Sequence, residues 1–344
     1  MIQPTFPRES NSLLSKYLTN EIFETLKDTI TSNGFTLAHA IRSGVENVDS
    51  GIGVYAGDEE SYSLFAPLFN PIIEAYHGFT QSDKHISNLN SETLNFPNLD
   101  PKKEFILSTR IRVGRNLKGF PLGTIISKAQ RDEVESLVVL ALKKLTDELA
   151  GEYFPLYNMS SQVQEQLIKD HFLFKEGDRF LESAGLNRDW SEGRGIFHNH
   201  AKTFLVWLNE EDQLRIISMQ QGGNILEVFQ RLVLAIEQLE KEISFAYSEH
   251  LGYISSCPTN LGTAMRASVH IKLPKLAQTD EQFKAITEQY HLQIRGIHGE
   301  HSQSEGGVFD ISNRRRLGIT EIEALSDLYN GVKKLIEVEK SLWS

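Results

Sequence analysis

FILSTRIRVGR, residues 105–115, is the stretch on which the fold turns. Phe105, Leu107, Thr109, Ile111 and Val113 alternate with Ile106, Ser108, Arg110 and Arg112. A period of two marks a strand whose successive side chains face opposite sides of a sheet. One face therefore reads as core, and the other carries two arginines. The device recurs: Arg215 lies between Leu214 and Ile216, Arg266 precedes ASVHIKL, and Arg295 follows LQI. One arginine on a strand is ordinary solvent-face polarity. Several on a shared sheet would repel one another and be costly to desolvate unless anions sat among them. A guanidinium fork matches phosphate oxygens two at a time, so a polyphosphate is the natural guest.

Working outward, the spacing predicts further strands at 195–200, 203–208, 213–219, 252–256, 264–273 and 292–297, with the first over 104–113. Helical periodicity covers 128–149, 225–242, 280–290 and 320–340. Closely spaced strands predict a largely antiparallel sheet. The N-terminal region differs in kind. Leu13, Leu14, Tyr17, Leu18, Ile22, Phe23, Leu26 and Ile30 form one amphipathic stripe, and SYSLFAPLFNPIIEAYHG reads as an apolar helix broken near Pro71. Between them lies the Gly-rich loop NVDSGIGVYAGDEE. Residues 82–103, rich in Asn, Ser and Pro without apolar periodicity, read as a linker. The expected fold is thus α+β: a helical N-terminal domain over 1–81, the linker, and a larger catalytic domain over 104–344 whose antiparallel sheet is flanked by helices.

The 344 residues are 40% hydrophobic with a formal net charge of -11, a balance that disfavours nucleic acid as the partner of the arginines. Small anions in a focused basic pocket suit both facts. No apolar run reaches the ~18 residues of a membrane span. The opening MIQPTFPRES lacks a secretory layout, and the single cysteine, Cys257, fits a reducing compartment, so a cytoplasmic location is expected. GIGVYA (51–56) matches a dinucleotide fingerprint formally, but polar ENVDS precedes it and acidic GDEES follows, so it reads as a tight surface loop. HGEH and HNH lack zincin spacing. Neither a Walker A run nor the kinase H-R-D and D-F-G set occurs.

Acids and a thiol accompany the arginines. WLNEEDQLRI sets Glu210, Glu211 and Asp212 in a turn leading to Arg215; RGIHGEHSQSEGG carries Glu300; ISSCPTNLGT puts Cys257 at a strand end. Acids beside a phosphate cradle suggest a cationic co-substrate facing a phosphoryl donor.

FILSTRIRVGR, FLVWLNEEDQLRIISMQQGGN, CPTNLGTAMRASVHIKLPKL, RGIHGEHSQSEGGVFDISNRRRLG and SGVENVDSGIGVYAGDEESY together resemble the signature segments of the phosphagen kinases, the ATP:guanidino phosphotransferases, over nearly the whole chain. The resemblance implies MgATP bound in a cleft lined by the sheet, with Mg2+ carried by the nucleotide and held by no protein ligand directly. The nucleotide residues it implies are Ser108, Thr109, Arg110, Ile111 and Arg112, then His171 against the adenine, and Arg215. They continue with Arg266, Ala267, Ser268, Val269 and His270, and end with Arg295, Gly296, Ile297, His298, Gly299 and Glu300. The guanidino group would sit between Glu211, Glu300 and Cys257, the last expected as a thiolate beside that cation. The amino-acid end would meet Ser50, Gly51, Ile52, Gly53, Val54 and Tyr55.

The short loop and Glu300 are similar to the arginine-using branch of the family, which implies reversible transfer from ATP to L-arginine giving phosphoarginine and ADP, by a monomer or homodimer. Asp49 and Arg179 match a pair that bridges the two domains in that branch. Taurocyamine or lombricine as acceptor, an arginine within a protein, or an inactive nucleotide or guanidine sensor are the alternatives. Departures from the family pattern are HNHA at 198–201, Gln213 where histidine is common, and Ile297–His298 where Thr-Arg is usual.

Overall fold

The computed structural model describes residues 2–295 and 306–343. The N-terminal region is helical: α1 (Leu13–Tyr17), α2 (Asn20–Leu26), α3 (Leu37–Glu46), α4 (Ser61–Leu64) and α5 (Ala66–His77). The single stripe expected over 13–30 is two helices. Thr19 stops the first and caps the second, its hydroxyl accepting the Ile22 N–H. The second expected helix breaks at Phe65 rather than near Pro71. Pro67 sits in the first turn of α5, where a missing N–H costs nothing, and Pro71 is carried inside the helix.

The larger region is built on β1 (Ile106–Arg115), β2 (Gly151–Pro155), β3 (Gly195–Asn199), β4 (Phe204–Leu208) and β5 (Leu214–Gln221). It continues through the two-residue strands β6 (Tyr247–Ser248) and β7 (Gly252–Tyr253), then β8 (Met265–Lys272), β9 (Leu292–Arg295) and β10 (Val308–Asn313). Among the described residues the main sheet runs β2-β3-β4-β5-β1-β8-β10-β9, with every neighbouring pair antiparallel. The strand expected over 252–256 instead pairs with β6 and bridges to Gly262, outside the main sheet. Strands β2, β6 and β10 fall outside the expected set. Helices α6 (Lys128–Leu142), α7 (Ser161–Lys169), α8 (Arg179–Ser183), α9 (Ile225–Glu240), α10 (Asp280–Gln289) and α11 (Glu321–Ser341) surround the sheet. Helix α6 stops earlier than its periodicity suggested.

Helices α6, α9, α10 and α11 cover one sheet face, where Ile111, Val113, Ile216, Ala267, Val269 and Ile311 join the main core. At the start of β1 the expected alternation fails. The register shifts between Ile106 and Ser108, so Ile106 is buried while Leu107 is 50% exposed. A bulge adds one residue and reverses the facing upstream of it, while leaving Arg110 and Arg112 on the side the period assigns. The helical region packs its core against Leu122, Leu186, Ile254, Cys257, Leu261 and Leu317 of the larger region, so the two share one apolar cluster.

Candidate active site

The opposite face of the sheet is covered in part, where Ile196, Leu205, Trp207 and Ile217 pack against Leu156, Leu167, Leu173 and Phe174, and the rest of it opens on a cavity of about 990 Å³. Arg110 and Arg112 of β1, Arg215 of β5, Arg266 of β8 and Arg295 of β9 all line it, together with Ser108, His171, Ser268 and His270. The sheet order explains the convergence. Strand β1 lies between β5 and β8, and Arg112 stands directly opposite Arg266. Like charges across a strand pair are destabilising unless something offsets them. Burial, with the charges of Arg215 and Arg266 added, pushes the Arg110 guanidinium down to about 10, and the same causes push Arg112 well below its ordinary range. The Nε and Nη2 groups of Arg110 are buried without a hydrogen-bond partner among the described residues. Such donors are costly to keep and are aimed where an anion would satisfy them.

Alternation also limits the expected set. Thr109, Ile111, Ala267 and Val269 point through the sheet and are buried, so only their main chain is available to a ligand. The Thr109 hydroxyl donates to the Gly222 carbonyl at 2.8 Å. Gly296, Ile297, His298, Gly299 and Glu300 lie outside the described residues.

Two side chains missed by sequence reasoning, Trp207 and Asp310, complete the arginine wall together with Glu210 of the acidic turn. Trp207 on β4 lies beneath two guanidinium groups, at 5.3 Å from Arg110 and 5.5 Å from Arg215, a cation–π arrangement. Its indole N–H donates to the Phe172 carbonyl at 2.7 Å, tying the wall to the segment that carries His171. Every residue of β4 is buried, so no alternation betrayed which side chain faces the cavity. Asp310 pairs with Arg266 at 2.6 Å. Its signal was Phe309 and Ile311 alternating with Asp310 and Ser312, overlooked with β10. Glu210 pairs with Arg215 at 2.8 Å and lines the cavity.

The acids and the thiol stand on loops beside this wall. Asn209, with a left-handed φ of 55°, turns β4 into β5, a conformation asparagine tolerates better than most residues. That turn presents Glu211, whose Oε2 accepts from Arg215 Nη2 at 2.9 Å and whose Oε1 accepts from Asn260 Nδ2 at 3.3 Å. Asn260 closes the short turn that opens at Cys257, and Cys257 Sγ is 3.1 Å from Thr259 Oγ1. Asp212 locks the two loops together. It accepts from Asn116 Nδ2 at 2.8 Å, Ser255 Oγ at 2.7 Å and Ser256 N at 3.0 Å. Burial pushes Glu211 up to about 7; Arg215, shared with Glu210, offsets only part of that cost. Burial and then the Glu211 charge push the Cys257 thiol up to about 12. The expected thiolate is therefore not what its own surroundings favour: they hold Cys257 as a thiol, and a cation beside it is needed to draw off the proton.

The N-terminal loop meets this corner. Ala56 N donates to Ser256 O at 2.7 Å, which sets Tyr55 next to Cys257 along the two chains. The Tyr55 phenol is raised well above its usual range by burial and by the nearby Cys257 and Glu211. Ser50 Oγ accepts from Gly53 N at 3.0 Å, while Ile52 and Val54 turn into the core. Gly53 has φ +80°, and a Cβ there would fall 2.8 Å from Leu14 Cβ, so this loop shape requires glycine. Arg179 donates to Asp49 through both Nη atoms, joining this loop to α8 as expected.

Comparison with known proteins bears directly on this arrangement. Residues 8–74 match the ATP:guanido phosphotransferase N-terminal domain, and residues 133–342 match the C-terminal catalytic domain of the same family. The chain belongs to the ATP:guanido phosphotransferase family. It is 56% identical over 337 residues to an arginine kinase of Anthopleura japonica, covering 97% of this chain and 47% of that protein. The arginine kinase Lit v 2.0101 of Penaeus vannamei is 53% identical over 335 residues, covering 97% of this chain and 94% of that protein. Among solved structures, the duplicated taurocyamine kinase of Schistosoma mansoni with bound transition state analog components superposes with a TM-score of 0.91 at 48% identity, over 96% of this chain and 46% of that one. A lombricine kinase gives 0.90 at 38% identity, over 96% of this chain and 93% of that one. This chain thus spans about half the length of the Anthopleura protein and of the duplicated Schistosoma one. The likeness to phosphotransferase relatives matches an architecture of a helical N-terminal part beside an antiparallel sheet flanked by helices.

Proposed function

We propose that this protein is a phosphotransferase that moves the γ-phosphoryl group of MgATP onto the guanidino nitrogen of L-arginine, reversibly, giving phosphoarginine and MgADP. The observation that carries the reading is the abutment of an arginine-lined cavity and a buried acid–thiol corner. Arg110, Arg112, Arg215, Arg266 and Arg295 line the cavity, and Glu211 touches that wall through Arg215 and the Cys257 turn through Asn260. Curated relatives at 53–56% identity that are named arginine kinases favour L-arginine over taurocyamine or lombricine.

The chemistry follows from the charges. Phosphoryl transfer needs nucleophile and leaving group in line and the charge of the moving group neutralised. The arginine wall supplies oriented cations before the reaction begins, and such preorganised electrostatics is commonly the largest share of rate enhancement. Mg2+ travels with the nucleotide as part of the substrate. A guanidinium arrives protonated, with a pKa of about 12.5–13.8, and is a poor nucleophile. Glu211 holds and aims it, and a carboxyl raised to about 7 is suited to accept its proton. Glu300 is proposed as the second carboxylate, and Cys257 as a third anionic contact formed as the cation binds. A cytoplasmic location accords with this reading, and among the described residues no helix is long and apolar enough to cross a membrane.

A coupled ADP-release assay over L-arginine, taurocyamine, lombricine and creatine tests the proposal. L-arginine is expected to give the highest kcat/KM. Equal or faster turnover of another acceptor removes arginine from first place, and tight MgADP binding without turnover favours a sensor.

A further inference from the structure

An α-amino acid substrate presents a carboxylate and an ammonium on one carbon, and both must be matched or the lost hydration is not recovered. The loop at residues 50–55 carries no charged side chain. It can offer N–H groups to a carboxylate but nothing anionic to an ammonium. The acid must come from across the cleft.

Asp178 is placed for this. It lines the cavity on the loop leading into α8. Its Oδ1 accepts from Phe180 N at 2.9 Å and Leu181 N at 3.1 Å, which fixes the carboxylate to the helix start. The contacts on either side pin that helix to the N-terminal loop. Arg179 Nη1 donates to Asp49 Oδ1 at 2.8 Å and to Asn47 Oδ1 at 3.2 Å, and Ser43 Oγ donates to Phe180 O at 2.8 Å. Asp49 immediately precedes Ser50. Asp178 is therefore held beside the loop assigned to the amino-acid end. The field of its charge reaches the Tyr55 phenol together with those of Cys257 and Glu211.

The other acids lining the cavity are committed. Glu210 pairs with Arg215, Asp310 pairs with Arg266, and both oxygens of Asp170 accept from Gln166 Nε2. Asp178 forms no ion pair among the described residues, and both its hydrogen bonds fall on one oxygen.

We propose that Asp178 receives the α-ammonium group of the substrate and so selects α-amino acids over guanidino compounds that lack it. This deepens the reading of the same cleft as an arginine site and rests on it. The carboxylate would then be read by the N-terminal loop and the ammonium by the catalytic region. Only a molecule carrying both groups spans the two.

The test compares L-arginine with 5-guanidinopentanoate, which keeps the guanidinium and carboxylate and lacks the amino group. Asp178→Asn retains an oxygen to cap α8 while removing the charge. The KM for L-arginine is expected to rise about five- to tenfold, as for loss of one partly exposed charge contact. The KM for 5-guanidinopentanoate is expected to stay unchanged. An equal rise for both substrates, or an unchanged KM for L-arginine, overturns the assignment. Calorimetric titration of both ligands into the unaltered protein and the variant gives the same comparison without turnover. Failed phosphoryl transfer would then count against the proposed activity alone, whereas L-arginine binding the two proteins equally well would overturn the role of Asp178.

Discussion

The arginine wall and the acid–thiol corner are neighbours built on opposite plans. The wall stands on strands: four of its five arginines come from β1, β5 and β8 at the middle of the sheet, and their positions follow from backbone pleat alone. It is electrostatically unfinished, with Arg112 facing Arg266 across a strand pair and buried donors of Arg110 unpartnered among the described residues. The corner stands on loops, and its groups are crosslinked: Asp212 ties the Glu211 turn to the Cys257 segment with two hydrogen bonds and to Asn116 with a third. A rigid, frustrated wall suits a polyphosphate, which stays multiply anionic throughout the reaction. A corner assembled from separate loops can be reshaped piece by piece, which fits a family whose members named here differ in the guanidino acceptor.

The largest expected effect breaks the wall. Arg110→Met should lower kcat by about 100- to 1000-fold, the usual range for removing one preorganised charge contact to a transition state. The same change should raise the unfolding free energy by about 1 kcal/mol, read as a higher denaturation midpoint, because a buried guanidinium whose donors lack partners among the described residues is replaced by an apolar chain of similar length. A protein that loses both activity and stability would mean that the wall is not frustrated.

Next comes the corner. Cys257→Ala should reduce kcat roughly 10- to 100-fold while leaving MgADP affinity within about twofold, since the lost contact is to the acceptor and strengthens as reaction proceeds. Glu300→Gln should follow the same pattern. Comparable losses in nucleotide binding, read by calorimetry, would erase the division between the two regions.

A pH series sharpens the contrast further. Glu211 is protonated below about 7 because burial disfavours its charge, and only the ionised carboxylate attracts a guanidinium. Affinity for L-arginine is thus present above that value and lost as pH falls through it. The KM for L-arginine should rise about five- to tenfold from pH 7 to pH 6, close to one proton's worth of linkage. Glu211→Gln should flatten this limb. The KM for MgATP should change less, since the carboxyl that titrates grips the acceptor rather than the nucleotide.

The smallest effect concerns the tie between regions. Asp49 and Arg179 are both more than half exposed, and pairs of that kind contribute little in water. Asp49→Asn should change the KM for L-arginine only a few-fold, with the difference shrinking as salt is raised. A loss as large as that at Cys257 would assign the bridge a direct part in the chemistry.

Period-two alternation in residues 105–115 was enough to place Arg110 and Arg112 on one face, because pleating leaves a strand no other choice. The chain motifs were likewise enough to name Glu211, Cys257 and the loop at residues 50–55. Alternation could not reveal Trp207, since all of β4 is buried, nor the bulge at Leu107, since an added residue leaves no mark in composition. Asp310 escaped notice because β10 follows a Gly-rich run that hides where the strand begins. Which strands lie side by side was decided only by tertiary structure. Local sequence sets the face a side chain occupies, whereas the order β5-β1-β8-β10-β9 depends on how remote segments bury their shared apolar face against α9, α10 and α11. The protonation of Cys257 belongs to the same class: a thiol's charge depends on its burial and on nearby charges, and the charged groups here, Glu211 and Asp212, lie more than forty positions away in the chain.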